Sequence, residues 1–303
     1  MDYSYWSIVL VVFKFVSYLS VAALAGGLTI QTLLALKSSN YTIEQVNYLK
    51  AIRSWQIIWA GVGLVFTLLH LPVEAAALSD TGWQGLVDGL MINIVWQSAI
   101  GTQTWLRATG YILALIVILL NRRSFPQFSF SWGLISLIAV LMISASFVLT
   151  GHSVNSGWLI QVILGLHVTA MALWIGSLWP LYKSSHFLKP SDVKNLMIEF
   201  GRFAVGIVLV LLVCGVIMLF QFIDSFEHLF TTDYGQLILF KLTLVTGMLL
   251  LAAWHKLIIV PKLLEKQNGL KLKRSIGVEG LVAIIVLIVT AVVTTLVGPA
   301  QGL

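Results

Sequence analysis

The chain has 303 residues, 59% of them hydrophobic, with 18 Lys or Arg and 12 Asp or Glu. A soluble protein of this length carries about 75 charged residues, so charge this sparse, at a mean hydropathy of +0.97, excludes a soluble domain, a disordered tail and a coiled coil and points to a bilayer. Cys214 is the only cysteine, which excludes a disulfide scaffold.

Apolar runs of about 20 residues are long enough to cross ~30 Å of hydrocarbon as helices. In chain order they fall at 7–36, 52–73, 103–120, 132–150, 158–180, 203–222, 236–254 and 277–297. The expected fold class is therefore all-α: a polytopic membrane protein of eight transmembrane helices, with residues 1–303 forming a single integral membrane domain. Met1–Asp2 is no basic leader, so the first span reads as a helix that stays in place.

The loops set the orientation. Segments 37–53, 121–131, 181–202 and 255–279 hold 3, 2, 4 and 6 Lys or Arg, 15 of the 18. The alternate connections hold none, and carry Glu74, Asp80, Asp88, Asp224, Glu227 and Asp233. By the positive-inside rule the basic loops face the cytoplasm and both termini lie outside. The high pI is thus a topology signal, and no nucleic-acid partner is expected. The acidic outer segments 74–100 and 223–235 are expected to attract cations or a basic partner.

The chain also reads as a parallel tandem repeat of two four-helix units, 1–150 and 151–303. Ala22 to Gly26 in span 1 matches Ala172 to Gly176 in span 5 at an offset of 150. Gly101 and Arg107 match Gly235 and Lys241 at an offset of 134. An even number of spans per unit makes the halves parallel. Small residues four apart let helices approach closely, which is a packing feature.

Polar and soft groups inside the hydrocarbon are the candidates for chemistry. His70 and Glu74 lie one turn apart at the end of span 2. His152 follows span 4. His167 lies nine residues into span 5, ~14 Å deep, with Met171 on the same face. Cys214 and Met218 form a second pair four residues apart. Imidazole, thiol and thioether together suit copper(I), and the outer His and carboxylate suit copper(II) as well. Met and Cys are also ordinary core fillers. Arg107 and Lys241 are expected to snorkel outward or to pair with Asp88 or Asp233. His186 and His255, at basic inner ends, and His228, in an acidic loop, are expected to be solvated.

At Gly151-His152 and from Leu166-His167 through Trp174-Ile175-Gly176, the sequence resembles the copper-resistance D (CopD) family of bacterial membrane proteins. Ser153 and Ser177 stand where that family has Ala and a second Gly. Gly201-Arg202-Phe203, Tyr234-Gly235 through Phe240-Lys241, Pro261, Arg274-Ser275 through Glu279, and Gly298-Pro299 add to the likeness. The resemblance implies an inner-membrane copper importer with copper ion as substrate. It also implies a separate periplasmic CopC-type copper protein as partner, and makes His152 and His167 the first metal-handling residues. The metal set expected is His152, His167, Met171, His70, Glu74, Cys214 and Met218. No Walker or phosphorylation motif marks a self-contained pump.

Two other readings fit the residues. A haem b electron-transfer protein would use His152 and His167 as axial ligands. A membrane receptor for a periplasmic copper protein would use the outer loops alone.

Overall fold

A computed structural model of the chain describes residues 5–37, 41–79, 82–121, 130–151, 156–223, 225–265 and 268–297. Ten helices carry these residues: α1 Tyr5–Ala35, α2 Ile43–Ser79, α3 Gly89–Trp96, α4 Ala99–Leu120, α5 Phe130–Ser146, α6 Trp158–Phe187, α7 Pro190–Phe222, α8 His228–Thr231, α9 Asp233–Trp254 and α10 Asn268–Val292. Seven of them, α1, α2, α4, α6, α7, α9 and α10, are long and apolar enough to cross a membrane. α5 is apolar but has only 17 residues, ~25 Å of helix. The chain is an all-helical, multi-pass integral membrane protein.

Local chemistry explains where the helices start. Thr42 and Gln45 form a reciprocal capping box ahead of α2. Asp88 caps α3, its carboxylate accepting from the Leu90 and Met91 amides. Ser98 caps α4, Pro190 opens α7, and Thr232 caps α9. Gly157, with φ of +82°, turns the chain into α6 in the left-handed region that glycine tolerates. Helices also run past the hydropathy windows. α2 begins nine residues before the expected span and ends six after it, because charged residues at an interface end an apolar run without ending a helix.

The acidic outer segment at 74–100 is not the loop the sequence suggests. Glu74 belongs to α2, Gly82–Val87 is a 3-10 turn, and α3 packs Val95 against Leu71 and Ala75 of α2. Asp88 is spent on its cap. Trp83 meets the rings of Tyr5 and Trp6 of α1, tilted against the first and edge-on to the second.

α1 and α6 form the centre of the bundle and share its most extensive helix contact. There the backbones touch. A Cβ on Gly26 would fall on the Gly176 carbonyl group, and one on Gly176 would fall on the Ala22 carbonyl. Pro180, four residues on, has no N–H to bond the Gly176 carbonyl, so that oxygen is free to face the Gly26 Cα. One apolar cluster, around Trp174, Met197 and Ile276, joins α6 to α7 and α10. Another, around Tyr18, Tyr111 and Ile143, joins α1 to α4, α5 and α6. Outward faces are apolar too: Ile58, Leu209, Phe220, Leu250 and Leu281 are all more than half exposed. Apolar surface of this extent suits lipid.

The basic segments gather at one end. Lys37 pairs with Glu199 at 3.2 Å and Lys189 with Glu44 at 3.6 Å. Lys194 donates to the Pro261 carbonyl at 2.9 Å, Lys256 to that of Gly201 at 3.2 Å, and Arg53 to that of Ile118 at 2.6 Å. The beginning of α5 lies at this end too, where Trp132 and Ser136 share a cleft with Arg53 and Ile118. Its other end, Ser146, meets Arg107 on α4. Residues 122–129, Asp80, His152, Asp224 and Gly298-Pro299 lie outside the described residues.

Candidate functional site

Only three of the 18 basic residues lie outside the basic segments: Lys14, Arg107 and Lys241. Each sits within a helix, beside a polar group. Two places with metal-binding chemistry are built around them.

The first lies between α1, α2, α4 and α10. His70 Nε2 stands 3.5 Å from Glu74 Oε1, and both side chains are largely buried. One helical turn separates them, so α2 alone fixes the pair. The other ring nitrogen, His70 Nδ1, is buried with no hydrogen-bond partner among the described residues. Lys14 donates from Nζ to the Thr294 carbonyl at 2.9 Å. That carbonyl lies in a π-turn, Val293–Val297, where the regular ladder of α10 loosens. Lys14 and Arg107 are both close enough to act electrostatically on His70.

Arg107 corrects an expectation. It neither snorkels nor pairs with Asp88. It is 3% exposed, donates from Nε to Ser146 Oγ at 2.8 Å and from Nη1 to Ser17 Oγ at 3.4 Å, and lies 4.3 Å over the Phe147 ring. Both serines also donate to carbonyls of their own helices, so their oxygens are free to accept from the guanidinium.

The second place lies between α6, α7 and α9. His167 faces Gly215 of α7, whose missing side chain leaves room for the ring: a Cβ there would meet His167 Cε1 at 3.5 Å. Its polar neighbours are the Leu211 backbone and Lys241. His167 Nδ1 is a second buried imidazole nitrogen without a partner among the described residues. Met171 lies one turn further, partly buried against both apolar clusters. Cys214, beside Gly215, is a free buried thiol, and Met218 is half-buried. No salt bridge among the described residues joins Lys241 to Asp233.

Thus His70–Glu74 forms as a pair, and His167 faces the bundle interior beside the Cys214 turn. No hydrogen bond among the described residues joins His70 to His167, so the two are separate positions. No three His, Cys, Asp or Glu side chains converge among the described residues.

Sequence reasoning missed a third cluster. His255 is not solvated: it is 5% exposed, with Nδ1 3.3 Å from Glu279 Oε2 and Nε2 2.6 Å from Ser275 Oγ. A π-turn, His255–Ile259, continues α9 there and sets the ring against α10. The available signal was spacing, because Ser275 and Glu279 are one turn apart on α10. His186 and His228 are exposed as expected.

Comparison with known proteins places this geometry. The model for the copper resistance protein D-like N-terminal domain matches residues 4–162, more than half of the chain. The chain belongs to the copper resistance protein D family. The model named for copper resistance protein D itself matches residues 194–293, the stretch that holds Cys214, Lys241, His255 and Glu279. Among curated relatives, copper transport protein CutJ of Bacillus subtilis (strain 168) is 28% identical over 253 residues, 80% of this chain. The chain spans 45% of that protein's length. Inner membrane protein YebZ of Escherichia coli (strain K12) is 27% identical over 228 residues, 70% of this chain and 71% of the relative. No solved structure matches. Among the described residues of this copper resistance D chain, His70 Nδ1 and His167 Nδ1 are buried without a hydrogen-bond partner.

Proposed function

We propose that the chain carries copper across a bacterial inner membrane, from the periplasmic to the cytoplasmic side. The observation that carries this reading is His167, an imidazole in the bundle interior with an unpartnered nitrogen. A polar ring that deep needs a partner or a passing ligand. A permeation path needs several moderate sites in series, not one tight cage. His70–Glu74 serves as an outer station, His167 with Met171 as the middle one, and Cys214 with Met218 as softer neighbours. His152 belongs by sequence to the segment between α5 and α6 and acts as the entry ligand. A periplasmic copper-binding protein delivers the ion.

Eight crossings and a parallel repeat accompany this reading. α5 starts by the basic end and finishes beside Arg107, which supports a full crossing despite its length. Gly26 and Gly176, matched at the offset of 150, meet each other backbone to backbone, which supports the repeat. The same offset pairs Ser17 with His167. Ser17 bonds Arg107, while His167 neighbours Lys241, the residue matched to Arg107.

Sidedness follows from the gathered basic segments. Cysteines introduced for Gln45 and Asn268 should react with a membrane-impermeant reagent only from the cytoplasmic side. Reaction from the periplasm at either position would reverse the topology. Cys214 is buried and gives little background.

Lys14 makes a sharper prediction. Two cations share the outer cluster with one carboxylate, so the local field opposes a metal cation. Lys14→Met should tighten copper binding there at least ten-fold, about 1.4 kcal/mol. Titration of purified protein with chelator-buffered copper(I) checks it, and unchanged or weaker affinity would remove the outer cluster from the path.

Metal analysis with a visible absorption spectrum of detergent-purified protein tests the reading as a whole. Copper without a Soret band is expected. A Soret band with reducible α and β bands would replace transport with haem-based electron transfer.

A further inference from the structure

α9 and the π-turn that continues it carry Lys241, Met248 and His255 at seven-residue spacing. Seven residues are close to two turns, so the three lie along one face, ~10.5 Å apart. Met248 is 1% exposed and His255 5%, on a helix whose other faces are largely open. The line starts beside His167 and ends at Glu279 of α10.

The lower end of this line has unusual chemistry. Glu279 is 2% exposed. Its only ion-pair partner among the described residues is the His255 ring. A buried carboxylate facing an imidazole needs a positive charge, supplied by a proton or by a metal ion. The 3.3 Å between His255 Nδ1 and Glu279 Oε2 is longer than a charge-assisted hydrogen bond of ~2.7–2.9 Å. It is close to the separation of two ligands that each hold one tetrahedral cation at ~2.1 Å. Ser275 fixes the other ring nitrogen at 2.6 Å, the second-shell contact that orients a ligating histidine. The π-turn at His255–Ile259 is a local irregularity of a kind concentrated at functional positions.

We infer that His255 and Glu279 form an inner metal station, the last point at which copper is held before it leaves by the basic end of the bundle. The inference rests on the transport reading and adds the exit to it. One imidazole and one carboxylate, without a thiolate, hold copper(I) more weakly than a sulfur site. Weak binding is what a release position requires.

The test is the number and affinity of copper(I) ions bound by the detergent-purified full chain under chelator buffering. His255→Gln and Glu279→Gln should each lose one bound ion, or weaken the weakest one at least ten-fold. Glu279→Gln keeps the shape and hydrogen bonding of the side chain, so the fold is preserved. Ser275→Ala removes the orienting contact but neither ligand, and should keep the full number of ions while holding the inner one more weakly. Equal binding in wild type and both Gln variants would overturn the station. So would a loss in Ser275→Ala matching that in His255→Gln, because the cluster would then be a structural network. His167→Ala should lose a different ion and keep the inner one, so failure of the transport path and failure of the exit station are read separately.

Discussion

His167→Ala is expected to reduce copper uptake to the level of cells without the protein, while the protein still accumulates in the membrane. The imidazole contributes little to packing, since its Nδ1 bonds nothing and its ring lies against the empty side of Gly215. Replacing it removes one contact to the Leu211 backbone and leaves a small polar-lined gap, so the stability cost should be small, about 1 kcal/mol. The functional cost is large, because the proposed path would lose its middle station along the apolar stretch of α6. A metal ion crossing that stretch without a ligand meets a desolvation barrier of many kcal/mol. Uptake by His167→Ala at the wild-type rate would place the path elsewhere.

Gly176→Leu is expected to have the largest effect on the fold. The contact it disturbs is backbone against backbone, so no flexible side chain can move aside. α1 and α6 would have to separate at the point where both apolar clusters meet. Overpacking here should cost on the order of 3 kcal/mol or more, and the protein should fail to accumulate. Gly206→Leu is the matched control: a Cβ at Gly206 meets nothing within 4 Å. Its variant should accumulate normally in the membrane and elute as wild type on detergent gel filtration. Equal accumulation of the two variants would mean that the α1–α6 contact is not central to the bundle.

Much of this was legible in the sequence. Hydropathy located the helices because lipid-facing and core-facing residues are both apolar, and the small-residue pairs at 22/26 and 172/176 marked the tightest crossing. His70 and Glu74 were readable as a pair because one helix fixes their geometry. What escaped depends on other helices. Lys14 lies in an apolar run and reads as an isolated charge until α10 presents the Thr294 carbonyl to it. His255 precedes Lys256 and looks solvated, but the π-turn rotates it onto α10 while Lys256 reaches Gly201. Arg107 reads in the sequence as a cation that snorkels outward or pairs with an acid, and instead finds two hydroxyls and an aromatic face. α3 was read as loop because its eight residues are too few for a span and its acid, Asp88, suggested solvent.

The family itself was visible through short motifs around His167, Lys241 and Glu279.

The most direct measurement of the central claim is copper flux into proteoliposomes holding only the purified chain. Copper(I) presented outside, with a high-affinity indicator trapped inside, should enter well above the rate of protein-free vesicles, and His167→Ala should return the flux to that background. Vesicles that bind copper at the protein but admit none to the lumen would contradict transport and leave the chain a membrane copper receptor.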